Sequence, residues 1–301
     1  EDLAGYEERS EVSQVKESPA GGAPPSRRSK QLILLDKVCS FWVEGVLEKS
    51  VQGMPLIDIP QTNFFEAIDH PWGQQLGTAL ISSRAEAAPG SAILETYGQA
   101  DRALLILGHP GSGKTSTLIS LAKGLIHQAR DDWTKPIPVI LDLASWGRLP
   151  LPLSDWVVDE LSAKYQIPRR YGRKWVAANE LVVLLDGLDS LPPASRRNCI
   201  EAINAFRVSH GLTGIAVCCR SREYLETGQL LNLNAAIELH PLGDEQLAEY
   251  LAAAGPPAEG LGEILDRSPE LWEMAHNPLM LNIMTAVFAD SDNGNDQSQE
   301  M

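Results

Sequence analysis

The sequence predicts an α/β fold built on a doubly wound, parallel sheet of five strands. Five short and almost continuously apolar runs are typical of strands that are covered on both faces. The segments 116–129 and 194–210 each lie between two of these runs, and each carries its apolar side chains on one face of a predicted helix. Strand and helix alternate in this way from residue 101 to residue 241. The predicted strands are Ala103–Leu107, Ile137–Leu141, Leu181–Leu185, Ile215–Cys219 and Ala236–Leu239.

Residues 1–100 lack this alternation. Charged residues, Ser, Gly and Pro dominate residues 1–30, which predicts a disordered linker. Residues 31–100 are predicted to form a helical and extended lead-in, with a helix in the first part and a short strand at 92–96 that Gly98 closes. Because the chain begins with Glu1 rather than Met, we expect a fragment of a longer protein or a processed product.

After residue 241 the strand pattern stops, and residues 242–290 are predicted to form a small helical subdomain. Two helix starts are visible there. Ser268 precedes a Pro and a Glu, and Asn277 precedes Pro278, which places a capping side chain before a Pro in the first turn. Residues 291–301 are acidic and amide-rich, which predicts a disordered tail.

The composition excludes several function classes. The chain has 25 Lys and Arg residues against 40 Asp and Glu residues, a formal net charge of -15, so we expect no bulk electrostatic binding of nucleic acid. None of the four cysteines forms a CxxC pair, which argues against a zinc knuckle or a disulfide framework and favours the cytoplasm. The longest apolar runs, about five residues, are too short to span a membrane, and no signal peptide is recognised.

Residues 103–116 read ALLILGHPGSGKTS and contain a complete Walker A pattern. Glycines let the main chain curl so that consecutive N–H groups face phosphate oxygens, and the following helix adds the partial positive charge of its N-terminus. Lys114 is expected to reach the β- and γ-phosphates, and Thr115 to offer its hydroxyl to Mg²⁺. The alternative is a glycine-rich turn that binds nothing. The expected nucleotide contacts are Gly108, His109, Pro110, Gly111, Ser112, Gly113, Lys114, Thr115 and Ser116.

A second motif, LVVLLDGLDS, covers residues 181–190. Its apolar strand delivers Asp186 to the carboxyl end of the sheet, where ligands bind in open α/β folds, and a carboxylate there can hold Mg²⁺. Asp189 lies three residues further on, where it could orient or deprotonate an attacking water. The alternative is a strand that simply ends in a polar turn.

The segments GHPGSGKTS, PIPVILDLASW, LVVLLDGLDS, VCCRSREY and LWEMAHNPLML occur in an order that resembles the NACHT group of STAND NTPases. The resemblance covers about residues 101–285. It implies an AAA-like P-loop NTPase fold, with Lys114 and Thr115 at the phosphates and metal, and Asp186 as the metal-coordinating acid. It further implies that Asp189 is the catalytic carboxylate and that Arg220 reads the γ-phosphate. The same resemblance implies that Pro278 packs on the adenine.

The resemblance implies a Mg²⁺-dependent module that binds ATP, or GTP, hydrolyses it slowly, and gates self-assembly in intracellular signalling or defence. Ser190 stands where the family commonly has a second acid, so a nucleotide-binding scaffold with little hydrolysis is the main alternative. A P-loop kinase acting on a small molecule is a third possibility, which would need an Arg-rich lid and an acceptor pocket.

Basic residues outside these motifs are expected to be solvated. They fall into the cluster Arg169, Arg170, Arg173 and Lys174 and the adjacent pair Arg196 and Arg197. The six histidines are scattered without the spacing of metal ligands.

Overall fold

A mixed sheet of six strands lies at the centre of the computed structural model, which describes residues 25–48, 57, 59–69, 92–148 and 150–296. The strands are β1 (Gln61–Asn63), β2 (Ala103–Gly108), β3 (Ile137–Asp142), β4 (Leu181–Asp186), β5 (Gly214–Arg220) and β6 (Ala235–Leu239). Their order across the sheet is β1-β6-β2-β5-β4-β3. Strands β2 to β6 run parallel, and β1 runs antiparallel to β6.

Eleven α-helices surround and extend this sheet within the described residues. They are α1 (Pro25–Val38), α2 (Ala92–Gln99), α3 (Lys114–Asp131), α4 (Leu153–Tyr165), α5 (Arg169–Ala177), α6 (Pro193–Ser209), α7 (Ser221–Leu225), α8 (Asp244–Ala254), α9 (Pro256–Leu265), α10 (Pro269–Ala275) and α11 (Pro278–Asp296). A π-helical segment, Cys39–Glu48, continues α1, and short 3₁₀ turns occupy Phe65–Ala67, Trp146–Arg148 and Leu188–Ser190.

The five strands predicted from the apolar runs are present, but the prediction of a five-stranded, wholly parallel sheet is wrong in one respect. A sixth strand, β1, joins the edge and pairs Gln61 with Leu239 and Asn63 with Ile237. Its three residues, Gln-Thr-Asn, are all polar. An edge strand of this kind carries no apolar alternation, so no sequence pattern identifies it.

Residues 92–96, predicted as a strand, instead begin helix α2. Its buried residues are Ile93, Thr96 and Tyr97, which are spaced three and four residues apart as on one helical face. This spacing favours the helix over the alternating pattern of a strand, and Gly98 lies inside the last turn rather than after the element.

The lead-in helix α1 begins at Pro25, inside the segment predicted as a linker, and it packs against α3 and β3. Leu34, Leu35 and Val38 are buried in the same core as the sheet. At the other end, α11 continues to Asp296, inside the segment predicted as a tail. The rest of the predicted linker and tail, residues 1–24 and 297–301, and residues 49–56, 58 and 70–91 of the lead-in lie outside the described residues. The division into domains stays a prediction.

Two separate apolar clusters organise the described chain. The larger contains the strands and the helices on both faces of the sheet. The smaller lies among α8 to α11 and includes Leu247, Tyr250, Leu261 and Leu281. Burial removes their apolar surface from water, which stabilises each unit by about 25 cal/mol per Å² of area. The helical part therefore has a core of its own beside the carboxyl edge of the sheet.

Candidate functional site

The loop between β2 and α3 has the curled main chain that the Walker A pattern predicts. Gly111 and Gly113 have φ angles of 77° and 85°, a left-handed conformation that favours glycine. A Cβ atom at Gly111 would lie 2.6 Å from the Asn277 side chain, and one at Gly113 would clash with Ile59. Helix α3 begins at Lys114, so its unpaired N–H groups and partial positive charge lie at the end of the loop.

The Lys114 ammonium lies over this loop and donates hydrogen bonds to its main chain. Its Nζ atom is 3.0 Å from the carbonyl oxygen of Gly108, 2.7 Å from that of His109 and 3.4 Å from the Ser112 hydroxyl. Burial lowers the pKa of Lys114, since a desolvated ammonium is less stable than one in water. An anion beside this nitrogen would favour its charged form.

Thr115 and Asp186 meet across the end of the sheet, although 71 residues separate them in sequence. The Thr115 hydroxyl donates to Asp186 Oδ2 at 2.8 Å. Burial raises the pKa of Asp186 above its usual range, and the hydrogen bond from Thr115 acts in the opposite direction. These two oxygen groups are the hard ligands that Mg²⁺ prefers, and a cation beside them would offset the desolvation of the carboxylate.

Asp142 adds a third carboxylate to this edge, and it is not among the site residues predicted from the sequence. It ends β3 in register with Asp186 at the end of β4, and its charge contributes to the raised pKa of Asp186. One of its oxygens accepts a hydrogen bond from the Ala144 N–H at 2.9 Å. The signal was available, because VILD ends an apolar run in the same way as VLLD.

Asp189 and Arg220 form an ion pair beside the loop. Arg220 Nε lies 2.9 Å from Asp189 Oδ2, and the Arg220 main-chain N–H donates to Asp189 Oδ1 at 3.2 Å. Both carboxylate oxygens are therefore held by one residue. The Arg220 side chain, about half exposed, also reaches Glu223 at 3.4 Å. Asp189 follows β4 and Arg220 ends β5, so the pairing of these adjacent strands brings the two side chains together.

The start of α11 contacts the loop directly. The Asn277 amide donates to the carbonyl oxygen of Pro110 at 3.1 Å, and the N–H of Leu279 donates to that of Gly111 at 3.3 Å. The Asn277 Oδ1 atom also caps α11 by accepting the Leu279 N–H at 3.0 Å. One side chain thus ties the helical part to the loop and begins a helix.

A cleft of about 530 Å³ opens where these groups converge. Its walls come from the loop, from the ends of β4 and β5, and from the first turns of α11. The lining residues are Pro110, Gly111, Gly113, Lys114, Thr115, Ser116, Asp186, Gly187, Asp189, Arg220, Pro278, Leu279, Asn282, Ile283 and Ala286.

Three of the predicted nucleotide contacts do not line this cleft. His109 and Ser112 line a second, smaller pocket of about 300 Å³ together with Pro278, which borders both pockets. Gly108 ends strand β2 and faces the loop through its carbonyl oxygen. The structure therefore brings Lys114, Thr115 and the other predicted cleft residues together, while His109 and Ser112 line the second pocket.

Arg196 differs from its sequence-based expectation. It was expected to be solvated like its neighbour Arg197, yet only 5 % of its surface is exposed. Its guanidinium donates to main-chain carbonyl oxygens of Asp189, Leu191 and Glu223 at 2.7–3.1 Å. Arg197 is exposed, as expected. The sequence carried no signal for this difference, because two adjacent arginines at a helix start look alike.

Two negative findings apply to the described residues only. Across 25–48, 57, 59–69, 92–148 and 150–296 no helix is both long and apolar enough to cross a membrane. Within the same ranges, no three His, Cys, Asp or Glu side chains cluster in a way that could hold a metal ion.

The chain matches no family model, and no curated protein matches it. Among solved structures, domain III of the Thermotoga maritima replication initiation protein DnaA is similar over 63% of this chain and 71% of that chain, with 18% identity and a TM-score of 0.34. C. elegans PCH-2 is similar over 55% of this chain and 41% of that chain, with 16% identity and a TM-score of 0.30. At these scores neither structure adds to what the sheet and the loop show.

Proposed function

We propose that this chain is a P-loop NTPase module that binds Mg²⁺ and a nucleoside triphosphate, ATP rather than GTP, and hydrolyses it slowly. The observation that carries the proposal is the convergence of three groups on one cleft: the loop with Lys114, the Thr115–Asp186 pair, and the Asp189–Arg220 pair. Each group suits a different part of a triphosphate, and three separate segments of the chain contribute them: the loop with the start of α3, the end of β4 with its turn, and the end of β5.

The phosphate groups would lie against the loop amides and the α3 N-terminus, with the Lys114 ammonium beside the β- and γ-oxygens. Thr115 and Asp186 would hold the cation, which neutralises phosphate charge when it is bound. Asp189 would align a water for in-line attack on the γ-phosphate and accept its proton. Arg220 would stabilise the charge that develops on the transferred group.

The base would lie towards α11, where Pro278 and the apolar side chains of Leu279 and Ile283 line the cleft. Leu279 and Ile283 are about half exposed, although both are large and apolar. A flat aromatic base would cover this surface. We assign ATP because of the resemblance to the NACHT group, in which the residue corresponding to Pro278 packs on adenine.

The contacts between α11 and the loop support a switch. Asn277 and Leu279 bond to the same loop that would hold the phosphates, so loss of the γ-phosphate would alter the relative position of the helical part and the sheet. Following the NACHT resemblance, we propose that this change gates self-association in intracellular signalling or defence.

A scaffold that binds nucleotide but scarcely hydrolyses it is the second candidate, and Ser190 favours it. Ser190 is exposed and its hydroxyl donates to the Gly187 carbonyl oxygen at 2.6 Å, so it supplies no second carboxylate beside Asp189. The two candidates differ in turnover at full occupancy.

The test measures phosphate release and bound nucleotide in the same sample, with Mg²⁺-ATP, for the wild-type protein and for Asp189→Asn. The proposal predicts binding by both proteins and a rate at least about 100-fold lower in the variant, since a lost general base costs 10²–10⁴-fold. Equal rates would remove Asp189 from its role. Full occupancy without phosphate release by the wild-type protein would leave the scaffold as the function.

A further inference from the structure

Arg196 is a buried cation whose hydrogen-bond partners are all main-chain carbonyl oxygens. It lies in the first turns of α6, and its Nη1 atom donates to Glu223 O at 2.7 Å. The Nη2 atom donates to Leu191 O at 3.0 Å and to Asp189 O at 3.1 Å. The Nε atom is buried and has no hydrogen-bond partner in the part of the chain that the structure describes.

Burying a guanidinium in this way is costly, because neutral carbonyl dipoles compensate its lost hydration less well than a carboxylate does. A methionine or leucine would fill a similar volume at lower cost. The presence of the Arg196 guanidinium here is therefore better explained by the main-chain segments that it holds in place than by a contribution to the free energy of folding.

The three carbonyl groups belong to two chain segments that carry the proposed reaction chemistry. Asp189 and Leu191 belong to the turn after β4, and Glu223 lies in α7, directly after β5. The same two segments carry the partners of the Asp189–Arg220 ion pair. Arg196 thus binds the main chain on both sides of that pair, and it bonds to the Asp189 carbonyl while Arg220 bonds to the Asp189 carboxylate.

We propose that Arg196 is a positioning residue that fixes the Asp189 carboxylate relative to Arg220, and through it the attacking water. This inference rests on the proposed function. Arg196 lines neither pocket and acts only through the turn after β4 and the helix α7. An arginine is required because its planar fork donates in several fixed directions, whereas a lysine is a point charge that cannot join the turn and the helix in a defined geometry.

Such a role predicts a particular kinetic pattern. The Arg196→Lys substitution should lower kcat about tenfold or more while leaving nucleotide affinity within about twofold, because the loop 108–115 keeps its own contacts and a misplaced general base is costly. In an Asp189→Asn background the same substitution should cause little further loss, since residues that act as a unit are not additive. A general loss of folding would lower affinity and rate together.

The decisive test reads the ion pair itself and needs no turnover. ¹⁵N-arginine labelling of the nucleotide-free protein gives the Arg220 Nε–H resonance, which is assigned by its absence in Arg220→Lys. We expect Arg196→Lys to move this resonance and speed its exchange with water, and the matched Arg197→Lys control to leave both unchanged. Circular dichroism and Tm establish that each variant is folded. If Arg196→Lys does not fold, the same measurements are made on Arg196→Gln, whose side chain is an uncharged amide donor.

An Arg220 resonance that is the same in wild type and in the folded Arg196 variant would overturn the positioning role, whatever the rate of hydrolysis. Absence of phosphate release by the wild-type protein would instead count against the proposed hydrolysis, and the resonance would still report on Arg196. A moved resonance with an unchanged kcat would show that the pair is held by Arg196 but does not position the water, which also overturns the proposal.

Discussion

The Lys114 ammonium is the charge on which phosphate binding depends most directly. It is held over the loop by the carbonyl oxygens of Gly108 and His109, and burial lowers its pKa. Among the residues that line the cleft, only Lys114 and Arg220 are basic. In a chain of net charge -15, these two side chains and the loop amides must offset the repulsion of a triphosphate.

Replacing Lys114 with Ala should therefore weaken binding of Mg²⁺-ATP by about tenfold or more, because a hydrogen bond to a charged group contributes about 1.5–3 kcal/mol. Equilibrium titration of the nucleotide measures this change. Lys135→Ala is the matched control, since Lys135 is an exposed lysine outside both pockets. Equal affinity in wild type and Lys114→Ala would contradict the assignment of the loop.

Substitution of Ser190 tests whether a second acid increases the rate of phosphate release. A Ser190→Glu substitution places a carboxylate one residue from Asp189 at an exposed position, and we expect phosphate release to rise about tenfold, below the full range of general-base effects. Ser190→Gln has the same size without the charge and should leave the rate unchanged. A rise in both variants, or in neither, would show that the missing acid does not limit turnover.

Asp186 links function to stability through its raised pKa. The pKa of Asp186 is higher in the folded protein than the 3.8 of a free Asp. The protonated carboxyl group therefore favours folding at a pH below the pKa of the unfolded state. This contribution to stability is lost as the pH rises through the pKa of the folded state. At pH 7 the ionised, desolvated carboxylate therefore destabilises the nucleotide-free protein.

Asp186→Asn removes this charge and keeps an oxygen to accept the Thr115 hydrogen bond. We expect a higher Tm than wild type at pH 7 without nucleotide, and a gain that shrinks as the pH is lowered. The variant should lose the further rise in Tm that Mg²⁺-ATP gives the wild-type protein. Thermal unfolding with and without ligand checks both, and a lower Tm in the nucleotide-free variant would refute the argument.

Among the elements, α11 joins the proposed phosphate-binding loop to the smaller apolar cluster. Its N-terminal turn bonds to the loop through Asn277 and Leu279, and its buried Leu281 belongs to the core of the helical part. In the proposed switch, a change at the loop would therefore reach the helical part through this helix. Asn277 is the residue that performs both tasks, as cap and as contact.

Asn277→Ala should lower the free energy of unfolding by about 1 kcal/mol through the lost cap. It should also weaken nucleotide binding about fivefold, because the loop loses the hydrogen bond from Asn277 to the Pro110 carbonyl oxygen, which also contributes about 1 kcal/mol. Ser268→Ala is the control, since Ser268 caps the neighbouring helix α10 and bonds to Leu271 rather than to the loop. Denaturant unfolding and nucleotide titration separate the two effects. Matching affinity losses in both variants would indicate a general effect of the helical part.

The elements that could be predicted are those whose pattern lies within one short segment. The apolar runs of β2 to β6 and the stripe of α3 are of this kind, and the structure contains all of them. The sixth strand escaped prediction because its three polar residues gain their structure only by pairing with β6. The segment 92–96 alone resembles a strand. The helical spacing of Ile93, Thr96 and Tyr97 appears only when the segment is extended beyond residue 96.

The same distinction applies to the site. The loop motif is contiguous, and Asp186 follows an apolar strand, so both could be located from local sequence. The burial of Arg196 depends on carbonyl groups that reach as far as Glu223, 27 residues away, and the Asn277 contact with Pro110 spans 167 residues. Long-range contacts of this kind leave no pattern in a single sequence.

At the scale of the whole molecule, the cleft lies between the carboxyl edge of the sheet and the helical part. One wall is fixed by the paired strands β4 and β5, and the other begins at Pro278. A ligand that contacts both walls would stabilise one relative arrangement of the two apolar clusters. We propose that this ligand is a triphosphate held by the loop amides beside a divalent cation.

A crystal structure with Mg²⁺ and a non-hydrolysable ATP analogue tests that claim most directly. We predict the triphosphate along the loop 108–115, with the γ-phosphate near Lys114 and Arg220 and the cation beside Thr115 and Asp186. A saturated crystal with no analogue at this loop, or with the analogue bound at a different surface, would contradict the account.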